Sequence, residues 1–129
     1  MAANFTYNQK EKLKSRKVLS TLFAEGKSFS VFPVKAFYLP VTDTQAAMIQ
    51  AGVGVSARHF KKAVDRNRIK RLLRECYRLN KTQLHTSALA KEKKMALFFL
   101  YIGKEIPAFA LLDEKMKTVL TKLETILGS

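Results

Sequence analysis

Cysteine is nearly absent: Cys76 is the only one in 129 residues. A lone thiol excludes an intramolecular disulfide framework and a thiolate metal cluster, and it suits a reducing compartment. Acidic residues are also scarce, with 10 Asp and Glu against 24 Lys and Arg. Glu11, Glu25, Asp43, Asp65, Glu75, Glu92, Glu105 and Glu124 are scattered, and only Asp113 and Glu114 are adjacent. Hydrolysis by a protein-bound metal pair needs clustered carboxylates, and capping of a helix start is the simpler reading of the one adjacent pair. His59 and His85 are isolated, with no metal-ligand spacing around them. No Gly-Lys-Ser/Thr phosphate loop occurs. No catalytic and no metal-binding residue is therefore expected in the chain itself.

Long apolar runs are missing as well. The longest, Met95–Ile102, falls far short of the roughly 20 residues that span a bilayer. Met1–Tyr7 has neither the charged start nor the apolar stretch of a signal peptide. There is no internal repeat and no Pro/Gly-rich linker. These absences predict a soluble cytoplasmic protein without a membrane partner. Residues 1–129 should form one domain, with 1–12 extended or flexible.

What is present is ordinary in hydrophobicity and unusual in charge. A hydrophobic fraction of 47% supports a real core, while the formal net charge of +14 makes the surface repel itself unless a polyanion neutralises it. Nucleic acid and an anionic membrane are the two common partners of such a surface. Val18, Leu19, Leu22 and Phe23 fall at helical spacing, with Ser15 placed to cap the start and Gly26 placed for a left-handed C-terminal cap. Ser28–Val41, interrupted by Pro33, and Ala47–Ser56 read as strands. In the second, Ala51, Val53 and Val55 share one face and Gln50, Gly52, Gly54 and Ser56 the other. A glycine-lined strand face implies that something packs very close to its backbone.

A basic helix is expected over Lys62–Asn80, a polar connection after it, a fully buried strand over Met95–Gly103, and a last helix beyond Pro107. In that helix Leu112, Met116, Val119, Leu120, Leu123, Ile126 and Leu127 form an apolar stripe. The order is α-β-β-α-β-α, with room for an extra strand before the basic helix. One sheet with helices packed on it is the expected architecture.

Placing successive residues of the basic helix about 100° apart separates two faces. Ile69, Leu72, Leu73 and Cys76 fall in one sector, with Tyr77 at its border. Asn67, Lys70, Arg71, Arg74, Arg78 and Lys81 gather opposite, and Arg66 and Arg68 flank the stripe. A solvated basic face is the bland alternative. Against it, like charges stack at Arg71, Arg74 and Arg78, where a solvated face normally alternates signs. Arginine also predominates, and its planar fork grips phosphate oxygens bidentately. Arg58, His59, Lys61 and Lys62 extend the cationic surface at the helix entrance. A second basic cluster, Lys10, Lys12, Lys14, Arg16 and Lys17, surrounds the first helix.

The run Ala63–Arg78, with Arg66-Asn67-Arg68 at its centre, resembles the signature helix of the bacterial ribonuclease P protein family. Leu13–Lys17, Leu22-Phe23 and Gly26-Lys27 resemble that family's opening helix, and Gly52–Ser56 the strand before the signature helix. The resemblance implies an α/β (α+β) two-layer sandwich, with about four strands in one sheet, three helices, and a left-handed β-α-β crossover. The implied order is α-β-β-β-α-β-α. It also implies a role: protein subunit of an endoribonuclease whose catalyst is a large RNA, which removes the 5′ leader of precursor tRNA with Mg²⁺ bound through the RNA. The protein alone would bind no cofactor. Arg66, Asn67, Arg68, Lys70, Arg71 and Arg74 would contact the catalytic RNA, with Arg58, Lys61, Lys62 and Arg78 extending that surface. Lys14, Arg16, Lys17, Phe23 and Tyr38 would line the cleft for the precursor tRNA leader, core packing being the alternative for the two aromatics. Leu19 departs from the aromatic that many members carry in the first helix. The Ala57–Lys62 connection is longer than the common form and lacks its glycine.

A general structural or ribosome-associated RNA-binding protein is the competing reading. A helix-turn-helix DNA-binding protein fits less well, because strand-like segments flank the basic helix, and no DNA partner is expected.

Overall fold

The computed structural model describes residues 16–40, 49–91 and 94–128, with side chains from Ser20 onward. In chain order its elements are α1 (Arg16–Glu25), β1 (Lys27–Val31), β2 (Val34–Pro40), β3 (Ile49–Val55), α2 (Ala63–Asn80), α3 (Thr82–Ala90), β4 (Met95–Tyr101) and α4 (Phe109–Gly128). The expected mixed α+β class with one four-stranded sheet is what forms. Pro33 does not merely interrupt the Ser28–Val41 segment. The chain turns at Phe32-Pro33, and the segment becomes an antiparallel hairpin in which Val31 faces Val34.

The strand order is β1-β2-β4-β3. β4 pairs antiparallel with β2 and parallel with β3. A parallel neighbour requires a crossover, and α2 and α3 supply it. Side chains alternate across a strand, so β4 serves both faces of the sheet. Met95, Leu97, Phe99 and Tyr101 join the main core, where Ile69, Leu73, Cys76 and Tyr77 of α2 meet Leu112, Met116, Val119 and Leu123 of α4. Ala96 and Phe98 point the other way, into a small cluster with Leu22 of α1 and Phe37 and Leu39 of β2. The two-layer sandwich of sheet and α2–α4 thus carries α1 on its outer face, the one helix there among the described residues.

Four local expectations are corrected. The polar connection after α2 contains a helix, α3, which makes four helices among the described residues rather than three. It buries only Leu84 and Ala88, too thin a stripe to register as periodicity. Its hold on the fold comes from side chains: Ser87 Oγ donates to Glu124 of α4 at 2.9 Å, and the Tyr77 hydroxyl meets His85 Nε2 at 2.7 Å. Asp113 does not cap α4. It is the helix's fifth residue, accepts from Asn80 Nδ2 at 2.7 Å, and pairs with Lys117 at 3.3 Å. Gly26 is not left-handed, since no described glycine has a positive φ. A Cβ there would lie 2.3 Å from the Leu22 carbonyl oxygen, and that close approach is what requires glycine. Finally, β4 is not fully buried: Phe98 and Leu100 are half-buried on the outer face, which α1 covers only in part. Ser15, the segment 1–12 and the start of the Ala47–Ser56 strand lie outside the described residues.

Cys76 is wholly buried among Ile69, Leu73 and Tyr77, and burial pushes its thiol pKa up to about 12. Thiolate is the reactive form. Cys76 is therefore expected to resist alkylation by iodoacetamide at pH 8 in the native protein and to react in strong urea. Equal labelling in both states would place the thiol outside the core. Leu73→Ala, at a position with no exposed surface, should cost about 2–5 kcal/mol in urea unfolding.

Candidate nucleic-acid interface

The apolar stripe of α2 determines where its charges go. With Ile69, Leu73, Cys76 and Tyr77 buried against β3, β4 and α4, the opposite side must face solvent. Asn67, Arg68, Arg71 and Arg74 are exposed and Lys70 is half-exposed. No acid or carbonyl among the described residues pairs with Arg68, Lys70, Arg71 or Arg74. Lys70 and Arg74 are i,i+4 neighbours and Arg71 and Arg74 are i,i+3, so each repels the other by a few tenths of a kcal/mol (about 0.2–0.5). Arg58, His59, Lys61 and Lys62 are exposed on the connection that enters the helix. Lys62, the N-cap residue, makes no side-chain cap hydrogen bond, and Asp65 in the first turn is the acid set against the positive end of the helix dipole.

Three basic residues expected on this ridge are held elsewhere. Arg66 Nη1 donates to the Phe60 carbonyl at 2.8 Å and the Lys61 carbonyl at 2.7 Å. It clamps the entry connection to the first turn of α2 and so fixes where Arg58, Lys61 and Lys62 stand. Arg78 makes a two-point contact with Glu75, Nε donating to Oε2 at 3.2 Å and Nη2 bonding Oε1. That guanidinium holds the Glu75 carboxyl below its usual range. Lys81 is buried at the α2–α3 junction rather than ranged with the ridge. Helical spacing allows the i,i+3 pair Glu75–Arg78, but it could not reveal the other two withdrawals, which depend on the entry connection and the helix junction.

The second surface is aromatic. Phe23 of α1 is half exposed and meets Phe37 edge-on at 5.1 Å and Phe98 at 5.2 Å between ring centroids. Lys35 Nζ lies 5.1 Å from the Phe37 ring centre, a cation–π distance. The floor of this cleft is the glycine face of β3. A Cβ on Gly54 would come within 2.6 Å of the Phe98 ring, so the close packing implied by that glycine face is the Phe98 ring itself. Tyr38 does not belong here. Its side chain is on the opposite face of the sheet, packed on the main core beside Phe29 at 6.1 Å. Phe23 and Tyr38 therefore cannot share a cleft, and Phe37, one residue away, takes the place beside Phe23. Strand alternation separates Phe37 from Tyr38 but does not say which face carries α1. Arg16 and Lys17 begin α1, while Lys14 lies outside the described residues.

No three His, Cys, Asp or Glu side chains converge among the described residues, and none of the helices there is long and apolar enough to cross a membrane. What these two surfaces present is exposed guanidinium and ammonium charge on one and a half-exposed aromatic ring on the other. The clamp and the ridge are separable by stability. Arg66→Ala should cost about 1–2 kcal/mol in urea unfolding, since it removes charged donors from two carbonyls. Arg71→Ala should change stability by less than about 0.5 kcal/mol. Equal effects would remove the distinction.

The sequence profile of the ribonuclease P family matches residues 7–124. The ribonuclease P protein component of Porphyromonas gingivalis is 34% identical over 121 residues, covering 94% of this chain and 88% of that protein. That of Chlorobium phaeobacteroides is 34% identical over 120 residues, covering 85% and 82% respectively. Among solved structures, the RNase P protein from Thermotoga maritima superposes with a TM-score of 0.65 at 24% identity, covering 87% of this chain and 96% of that one. A Staphylococcus aureus RNase P protein gives 0.58 at 17% identity, with 90% and 94% covered. Those two structural likenesses concern the fold, and the family rests on the sequence matches over most of the chain. With them, the cationic helix and the aromatic cleft acquire a context: this chain belongs to the ribonuclease P protein component family.

Proposed function

We propose that this chain is the protein subunit of a ribonuclease P, binding a large catalytic RNA through α2 and the 5′ leader of precursor tRNA through the aromatic cleft. The observation that carries the reading is the exposed row Arg68, Lys70, Arg71 and Arg74, which has no acid to answer it among the described residues. Such a row is destabilising in isolation and becomes favourable when phosphates release their counterions to it. Asn67 adds an amide that can donate and accept beside the guanidinium forks. Arg66 acts through position, presenting Arg58, Lys61 and Lys62 along the same phosphate track.

The leader is single-stranded, and the cleft suits a single strand. Phe23 offers a half-exposed ring on which a base can stack without regard to its identity, and Lys35 is placed to meet the adjoining phosphate. α1 itself begins with the cations Arg16 and Lys17. Cutting the leader requires Mg²⁺, which the RNA would bind. The chain's own residues bind and orient, bringing the leader and the catalytic RNA onto one scaffold. The particle would act in the cytoplasm, where precursor tRNA is made in a bacterium.

The deciding experiment is cleavage of a precursor tRNA at low Mg²⁺ by a bacterial ribonuclease P RNA, with and without this protein. Strong stimulation, with no cleavage by the protein alone, is the expected result. Tight RNA binding without stimulation would move the protein to a general RNA-binding role. Within the complex, Arg71→Ala and Arg74→Ala should each lower the slope of log affinity against log salt by about one phosphate contact. Phe23→Ala and Phe37→Ala should reduce the advantage of a substrate with a leader over one without, by about 1–3 kcal/mol for each stacked base lost. Tyr38→Ala should leave that advantage intact and lower stability instead. A leader defect in Tyr38→Ala alone would return the cleft to the other face of the sheet.

A further inference from the structure

At the end of the sheet beyond the cleft, the β1–β2 turn and the β4–α4 connection enclose an open groove of about 710 Å³. Its walls include Phe32, Ile106 and Leu111, which are 67%, 36% and 45% exposed. These are large apolar surfaces for solvent to cover, and a cluster of this kind marks an interaction site. Lys104 and Lys115 border the groove, and Glu105 is the one acid there. No acid among the described residues pairs with either lysine.

The groove is built continuously with the basic entrance of α2. Tyr101 lines it and donates its hydroxyl to the Glu105 carbonyl at 2.5 Å, which fixes the connecting loop. The other side of the same ring packs on Phe60 at 6.0 Å between centroids. The Phe60 carbonyl is one of the two that Arg66 holds. One rigid unit therefore runs from the groove through Tyr101 and Phe60 to Arg58, Lys61, Lys62 and the first turn of α2.

We infer that this groove receives an unpaired nucleotide of the same RNA that α2 binds, its base stacked on Phe32 and its flanking phosphates met by Lys104 and Lys115. The inference rests on the RNA-binding reading of α2 and extends it to a second contact at the same end of the molecule. Three observations select this occupant. An exposed aromatic ring in a groove bordered by two lysines that no described acid pairs is the chemistry of base stacking beside a phosphate. A second copy of the chain would bring +14 against +14. The precursor tRNA leader is assigned to Phe23, Phe37 and Phe98, three rungs further along β2 and β4 and open to the other face of the sheet.

The test uses the full chain and a bacterial ribonuclease P RNA, with affinity measured across a salt series. Phe32→Ala should weaken binding on the order of tenfold without moving the urea midpoint. Phe32→Tyr should restore it, and Phe32→Leu should not, because leucine keeps the apolar surface and loses the stacking face. Lys104→Gln together with Lys115→Gln should lower the salt slope by about two phosphate contacts. Unchanged affinity in Phe32→Ala, with binding weakened in Arg71→Ala, overturns the groove and leaves the α2 reading in place. Unchanged affinity in both overturns the α2 reading as well. Full activity of Phe32→Leu, or self-association of the wild type in sedimentation that Phe32→Ala abolishes, assigns the groove to a protein contact and overturns the proposal. A loss confined to substrates carrying a leader assigns it to the leader and overturns it equally.

Discussion

β4 lies between an antiparallel neighbour and a parallel one, and most of the molecule follows from that placement. On the antiparallel side the hairpin β1–β2 extends the sheet outward from β4. The parallel side cannot close through a turn, so the chain must leave the sheet, cross its face and return. α2 and α3 make that journey, and α4 then packs beside them over the same face. β4 tolerates this position because its residues are apolar on both sides: Met95, Leu97, Phe99 and Tyr101 toward the helices, Ala96 and Phe98 toward α1. A helix obliged to lie on the sheet must bury one stripe and expose the other. The cationic ridge is thus the solvent side of a structural crossover, held rigid by the packing behind it.

The basic residues of this region divide by partner rather than by residue type. Arg66 and Arg78 spend their donors within the protein, one on a backbone turn and the other on Glu75. Lys81 is buried where α2 gives way to α3. Arg68, Arg71 and Arg74 are left exposed and Lys70 half-exposed, mutually repelling. The division has a physical logic. An anionic ligand needs a row whose charge is not already neutralised, and that row needs a scaffold that does not shift when it is neutralised. Arg66 supplies part of the scaffold, because without it the connection bearing Arg58, Lys61 and Lys62 has one fewer tie to the helix.

The aromatic cleft depends on a different economy of space. Phe98 can lie flat toward β3 only because Gly54 carries no side chain. With that ring down, Phe23 and Phe37 stand around it at T-shaped and tilted angles, the arrangement aromatic rings prefer over face-to-face stacking. Among the described residues α1 covers only part of the outer face, which leaves Phe23 exposed and Lys35 and Leu100 half-buried there. A second full layer on that face would have closed the cleft.

Much of this was legible in the residues alone. The apolar stripes of α2 and α4 determined which of their faces are buried, because a 3.6-residue period leaves little choice. The glycine face of β3 announced a close neighbour, and the burial of Cys76 followed from its place on the α2 stripe. Charge composition pointed to a polyanion before any element was placed. Tertiary structure alone decided the rest. α3 went unread because two buried residues make no periodic signal, and contacts to Glu124 and Tyr77 hold it instead. Tyr38 and Phe37 alternate in either case, but only the packing of α1 on one face of the sheet says which of them meets Phe23. The withdrawal of Arg66 from the ridge was likewise invisible, since it depends on which carbonyls of the entry connection the fold brings within about 3 Å. The Glu75–Arg78 pair, by contrast, is an i,i+3 contact that helical spacing alone allows. Periodicity is a local property and survives in the sequence, whereas the identity of a contact across elements exists only once the chain has folded.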